Sequence, residues 1–225
     1  MVIVGLRCTS TFLRTDTHVM RRVLLALAGL ALVASFLVAG AERSAAGTAL
    51  PPDGVHVAVE DFYFDPATVP VGRGDTVVFD FVGDVHHTAT DSSGLELYDS
   101  GPVAPDGPST WFTFEAAGIY SFVCTPHAGM GGRVSVPARV APASGGVHTR
   151  FTVTWASAEA TGDHVYDVQI KRPGATWTFW RRAISARTDG FIPAGKGRYR
   201  FRARLRDGGL GRASRWSTAS SIRVG

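Results

Sequence analysis

Cys124, His127 and Met130 stand three residues apart on one short stretch, Cys124-Thr125-Pro126-His127-Ala128-Gly129-Met130. A thiolate, an imidazole and a thioether placed so closely can all turn toward a single ion. That donor set suits copper: two imidazoles and a thiolate in a trigonal plane, with a weak and distant methionine, make a one-electron transfer site. Zinc is less suited, because it prefers four good donors in a tetrahedron and a thioether is a poor one. The stretch supplies only one imidazole, so a second must reach it from elsewhere. Asp84-Val85-His86-His87-Thr88-Ala89-Thr90 carries the candidate, His87, with His86 beside it. Singly, each residue has a plainer explanation. Buried free cysteines are common and inert, loop histidines are mostly surface groups, and methionines fill cores. The shared spacing argues for the ion.

These side chains need stiff carriers. Ile119-Tyr120-Ser121-Phe122-Val123 is apolar and strand-like and runs straight into Cys124. Gly131-Gly132 lets the chain leave the loop, and Arg133-Val134-Ser135-Val136 reads as a closing strand. Upstream, Val55–Val59 alternates like a strand, and Val69–Thr76 is strand, glycine turn, strand. Val77-Val78-Phe79-Asp80-Phe81-Val82 reads as the central strand, and Trp111–Phe114 as another. Residues 91–110 are polar, with Pro102, Pro105 and Pro108, and read as loop.

The pattern Gly-x-Tyr-x-x-x-Cys-x-x-His-x-x-Met, present from Gly118 to Met130, together with His87-Thr88, resembles the cupredoxins, the family of plastocyanin and amicyanin. The resemblance covers residues 53–137. It implies a Greek-key β-sandwich and one mononuclear copper cycling between Cu(II) and Cu(I), held by His87, Cys124, His127 and Met130. The family places its upstream ligand directly before Thr, which selects His87 over His86. Neighbours on an extended chain point to opposite faces, so only one of the two can face the metal. Thr88 and the backbone around it are implied to hydrogen-bond the sulfur or steady the imidazole. In this family the loop histidine also carries electrons outward, through an apolar patch that Pro126, Ala128 and Gly129 would form here. Multicopper oxidases and nitrite reductases need further His-x-His or His-Cys-His runs; residue 123 is Val and no His-x-His occurs. No Gly-x-Ser-x-Gly or other nucleophile setting appears either. The sequence therefore points to an electron carrier rather than an enzyme.

The chain has 225 residues, 26 of them Gly and 12 Pro, and no long stretch beyond residue 41 has helical periodicity. All-β structure in two sandwiches is expected. Net charge, +4 overall, divides unevenly. Residues 42–140 hold 4 Lys/Arg against 13 Asp/Glu, and residues 141–225 hold 15 against 5. Opposite signs argue for two domains with different surfaces.

Met20-Arg21-Arg22 precedes the apolar run Val23–Ala41, which ends in the small-x-small pattern Ala39-Gly40-Ala41. Residues 1–41 thus read as an N-terminal extension with a cleaved signal peptide, an uncleaved membrane anchor being the alternative. Either way the bulk of the chain is exported: secreted, periplasmic or on the cell surface. Cys8 lies ahead of the leader, which leaves Cys124 as a lone thiol in an exported chain, and copper ligation accounts for it. Residues 42–52 and 138–146, rich in Ala, Ser, Gly and Pro, read as linkers.

Residues 147–225 hold a second set of strands. In Tyr199-Arg200-Phe201-Arg202-Ala203-Arg204-Leu205-Arg206 the period is two, so Tyr199, Phe201, Ala203 and Leu205 face a core and four arginines face out. With Ser214-Arg215-Trp216-Ser217 this resembles a fibronectin type III domain. The arginines, with Trp216 and Trp180, make a basic and aromatic face. The preferred reading is a cation–π ladder; docking to an acidic partner or cell-wall polymer comes next. Nucleic acid is not expected as a partner of an exported protein. Three functions remain in order: electron carrier with a redox partner protein; copper storage, delivery or sensing; and adhesion, with the copper domain structural.

Overall fold

Alternating apolar and polar residues drive the chain into strands, and among the described residues of the computed structural model, 53–225, no helix forms. The expected leader, its cleavage pattern and the 42–52 linker lie outside those residues. The first eight strands are β1 (Val55–Glu60), β2 (Tyr63–Asp65), β3 (Thr68–Pro70), β4 (Asp75–Phe81), β5 (Thr90–Asp91), β6 (Thr110–Phe114), β7 (Gly118–Val123) and β8 (Gly131–Val136). They make two sheets, ordered β2-β1-β4-β6 and β3-β8-β7-β5. The pairs β1–β4 and β3–β8 are parallel, so the chain crosses between sheets rather than meandering within one.

The two sheets close on aromatic rings. Phe64 of β2 and Phe79 of β4 meet Phe122 of β7 edge-to-face at 4.8 and 5.2 Å. Val57, Val59, Val77, Val134 and Val136 fill the space around them with no solvent exposure. The Val77–Val82 segment is the interior strand the sequence suggests, ending one residue earlier, with Val82 exposed. Residues 91–110 are mainly loop, but His87 and Val103 exchange backbone hydrogen bonds of 3.0 and 2.8 Å. That bridge fixes the backbone of the histidine.

The second half contains β9 (Arg139–Ala141), β10 (Ser144–Gly145), β11 (Phe151–Thr154), β12 (His164–Lys171), β13 (Trp177–Ile184), β14 (Thr188–Phe191), β15 (Gly197–Asp207) and β16 (Ser220–Val224). A sheet β14-β11-β9 faces a sheet β10-β16-β15-β12-β13. Residues 138–146 are therefore not a free linker. Their strands β9 and β10 pair with β11 and β16. Small and turn-forming side chains mislead here, because edge pairing uses backbone groups that every non-proline residue carries. The described residues all fall within one compact unit. Ile119 at the start of β7 trades backbone bonds with Arg215, at 3.0 and 3.1 Å, and Ala117 N donates to Trp155 O at 2.7 Å.

On β15 the alternation holds: Tyr199, Phe201, Ala203 and Leu205 are buried. Outside, Arg202 lies over Trp177 at 4.3 Å and Trp216 at 5.1 Å, and Arg204 lies over Trp216 at 4.5 Å. Trp180 does not belong to this face, contrary to the sequence reading. It packs on Trp155, Phe191 and Phe201 of the core. Its position on β13 has the opposite parity to Trp177 and Phe179, which do face outward. Ser214 and Ser217 are buried, their hydroxyls accepting the amides of Leu205 and Ala203 at 3.2 and 3.1 Å.

Candidate metal centre

The loop leaving β7 is tied by its own backbone. Cys124 N donates to Met130 O at 3.0 Å, His127 N to Cys124 O at 3.3 Å and Met130 N to His127 O at 3.1 Å. These bonds turn the chain tightly enough to bring residues 124, 127 and 130 to one side. Gly129 supports the turn with φ of 84°, a left-handed value that costs glycine little. Cys124, His127 and Met130 line one concavity of about 350 Å³. Cys124 and Met130 are each 3% exposed.

His87 arrives from the other side and is 1% exposed, while His86 faces solvent. His87 Nδ1, His127 Nδ1 and Cys124 Sγ form a triangle with sides of 3.1, 3.4 and 3.5 Å. From those sides, its centre lies about 1.9 Å from each corner, close to ordinary metal–imidazole and metal–thiolate lengths of about 2.0–2.3 Å. Two nitrogens and a sulfur at that spacing, with a buried thioether on the same loop, fit a single type 1 copper site.

Hydrogen bonds sew the two ligand-bearing segments together. Thr88 N donates to Cys124 Sγ at 3.3 Å, the contact to sulfur expected from the sequence. Thr88 Oγ1 accepts Thr125 N at 2.8 Å and Thr90 Oγ1 at 2.9 Å, and contacts Thr125 Oγ1 at 3.2 Å. Each imidazole is thus flanked by residues that pin the opposite segment.

Two neighbours were not foreseen. Asp61, in the turn between β1 and β2, places Oδ1 3.1 Å from His87 Nε2. A carboxylate only accepts, so Nε2 carries the proton and Nδ1 keeps its lone pair for a metal. Asp61 Oδ1 also accepts the amides of Asp84 and Val85, at 2.9 and 3.3 Å. The His87 hydrogen bond first, with the Val85 and Asp84 amides, holds the Asp61 carboxyl below the usual carboxylate range, against an opposing effect of burial. Phe62 follows it, with φ of 70° and its ring edge-on to His127 at 5.0 Å. Nothing but the aromatic run Phe62-Tyr63-Phe64 hinted at this, because an aspartate between two strands reads as an ordinary turn residue.

Among the described residues, the other histidines stay away from the cluster. His56 and His148 are exposed and His164 is half-buried. His56 Nδ1 pairs with Asp80 Oδ2 at 2.6 Å, a partner its sequence context did not suggest.

Comparison with known proteins bears on this region of the chain. Residues 54–137 match the copper binding proteins of the plastocyanin/azurin family. Halocyanin of Natronomonas pharaonis is 33% identical over 72 residues, which is 31% of this chain and 44% of that protein. The chain thus spans less than half the length of this relative. Among solved structures, a purple cupredoxin from Nitrosopumilus maritimus is 21% identical, over 36% of this chain and 98% of that one, with a TM-score of 0.34. Oxidised plastocyanin from Dryopteris crassirhizoma is 28% identical, over 36% of this chain and 99% of that one, with a TM-score of 0.33. Residues 54–137 are accordingly a cupredoxin domain, of a family that binds copper.

Proposed function

We propose that the protein is an exported electron carrier that holds one copper ion through His87, Cys124, His127 and Met130. The observation that carries this reading is the triangle of His87 Nδ1, His127 Nδ1 and Cys124 Sγ, in a buried site whose sulfur accepts the Thr88 amide. Bound copper supplies a Cu(II)/Cu(I) couple. The chain supplies a frame that changes little between the two states, since the ligand loops are braced by hydrogen bonds that need no metal. His127 is the partly exposed ligand, and its ring lies beside Phe62, which is 65% exposed. That edge is the proposed exit for electrons toward a redox partner protein. With 11 Asp/Glu and 2 Lys/Arg between residues 54 and 137, a basic partner is favoured by long-range attraction.

Loading the protein with Cu(II) tests this. An intense visible thiolate-to-copper band and reversible one-electron voltammetry support the carrier. Bound copper that is passed to a chelator without a reversible couple supports storage or delivery instead. Failure to take up copper removes both.

For residues 138–225 we infer a fibronectin type III-like module that docks an acidic polymer. The three-stranded sheet facing a larger one supports the likeness. Lys171, Arg172, Arg198 and Arg200 surround a concavity of about 330 Å³ whose lining includes no carboxylate, which supports the docking. Salt-dependent retention on a sulfated polysaccharide column, lost when these four are replaced by Ser, is the expected result. Retention unchanged by the replacements excludes this surface.

A further inference from the structure

We propose that the turn Asp61-Phe62, together with Gly83, is a positioning device that sets the reduction potential of the centre by gripping both imidazoles. It rests on the copper reading above and concerns residues that touch no metal.

One turn reaches both rings. Asp61 Oδ1 lies 3.1 Å from His87 Nε2, and the Phe62 ring meets the His127 ring at 5.0 Å. The turn is held in a conformation that a side chain-bearing residue rarely adopts. Phe62 has φ of 70°, where a Cβ is crowded, and it leaves a large apolar ring 65% exposed. Both features cost stability, and strain of this kind persists where the surroundings enforce it. Packing does not explain them, since Phe62 is excluded from the core that Phe64, two residues on, enters.

Gly83 makes the first contact sterically possible. A Cβ there would lie 2.5 Å from Asp61 Oδ1 and 2.9 Å from both Asp61 N and His87 Nε2. The Gly83 amide is bonded to Val59 O at 3.1 Å, at the end of β1, so the residue has little freedom to move aside. Any larger side chain must push the carboxylate and the imidazole apart.

The consequence follows from charge. A carboxylate accepting the Nε2 proton of a ligand imidazole increases the electron density at Nδ1. A more basic donor favours Cu(II), the more highly charged state, over Cu(I), and so lowers the potential. Phe62 acts at the other ligand by limiting the tilt of the His127 ring.

The test uses copper-loaded protein and three variants. Asp61→Asn keeps an acceptor for His87 and for the two amides but removes the charge. Gly83→Ala keeps the charge but displaces it. Phe62→Ala removes the ring. The first two are expected to retain the visible band and raise the potential, each tenfold change in relative Cu(II) preference appearing as about 59 mV. Both should hold copper about 10–100-fold more weakly in chelator competition, the usual effect of disturbing a partner of a ligand imidazole. Phe62→Ala should shift the band or the copper EPR spectrum while melting no lower than wild type. Circular dichroism establishes that each variant is folded. If the wild type binds copper and Asp61→Asn and Gly83→Ala both keep its potential, this inference is wrong and the copper site stands. A wild type without copper overturns the proposed function itself.

Discussion

Thr88→Val isolates the brace between the two ligand segments. Valine keeps the branched shape and nearly the volume of threonine, and residue 88 is 4% exposed, so packing should survive. What disappears is Oγ1, the acceptor for Thr125 N at 2.8 Å and for Thr90 Oγ1 at 2.9 Å. The Thr88 amide bond to Cys124 Sγ is untouched. One intramolecular hydrogen bond has a net worth of about 1 kcal/mol, and stranding a buried donor costs up to about 3. Thr125 is exposed, so water can partly replace the lost acceptor, and about 1–2 kcal/mol is expected. For a unit of this size that is a fall of about 2–8 °C in the apo-protein melting temperature. Copper should be released faster while its visible band keeps its position. The assay is calorimetry with and without copper, followed by chelator competition. An unchanged melting temperature together with unchanged release would show that the brace is not holding the loops.

His87→Ala should abolish the visible copper band, whereas His86→Ala should leave it intact, because His86 lies in solvent; titration with Cu(II) decides. Asp167 is fully buried beneath Arg204 and Arg206, at 2.9 and 3.1 Å. Replacing it by Asn strands two guanidinium groups and should cost about 3 kcal/mol in urea unfolding, the lower end for a broken buried pair because the arginines keep some solvent contact. Burial pushes its carboxyl upward, but the Ala183 amide and the two arginines outweigh this and hold it below the usual value. A depressed folded-state pKa means the stabilisation is fully present above the ordinary value near 3.9 and is lost as pH falls through the folded one. Wild type should therefore lose stability below about pH 4 more steeply than Asp167→Asn; parallel curves would contradict the assignment.

The site was legible where chemistry and spacing coincide on a short segment. Cys124, His127 and Met130 are local in sequence, and the backbone bonds that gather them close within seven residues. His87 was legible through the resemblance rather than through geometry, since thirty-seven positions separate it from Cys124. Strands with period two, such as β15, declared both their faces. The strands within 138–146 did not, because edge pairing is a backbone matter that composition barely marks. Trp180 turns to the core rather than to the arginine face because its parity on β13 is opposite to that of Trp177 and Phe179, and composition alone does not mark which face a tryptophan takes. Asp61 and Gly83 carry no sequence signal and Phe62 only that of its aromatic run: their contacts arise from a turn meeting loops more than twenty residues away, without periodicity.

Copper-edge X-ray absorption on protein loaded with one equivalent of copper measures the donor set itself. One short sulfur and two imidazole nitrogens, with the sulfur lost in Cys124→Ser, is the result predicted by the convergence of His87, His127 and Cys124. A shell of nitrogen and oxygen alone, or the same spectrum from Cys124→Ser, would contradict it.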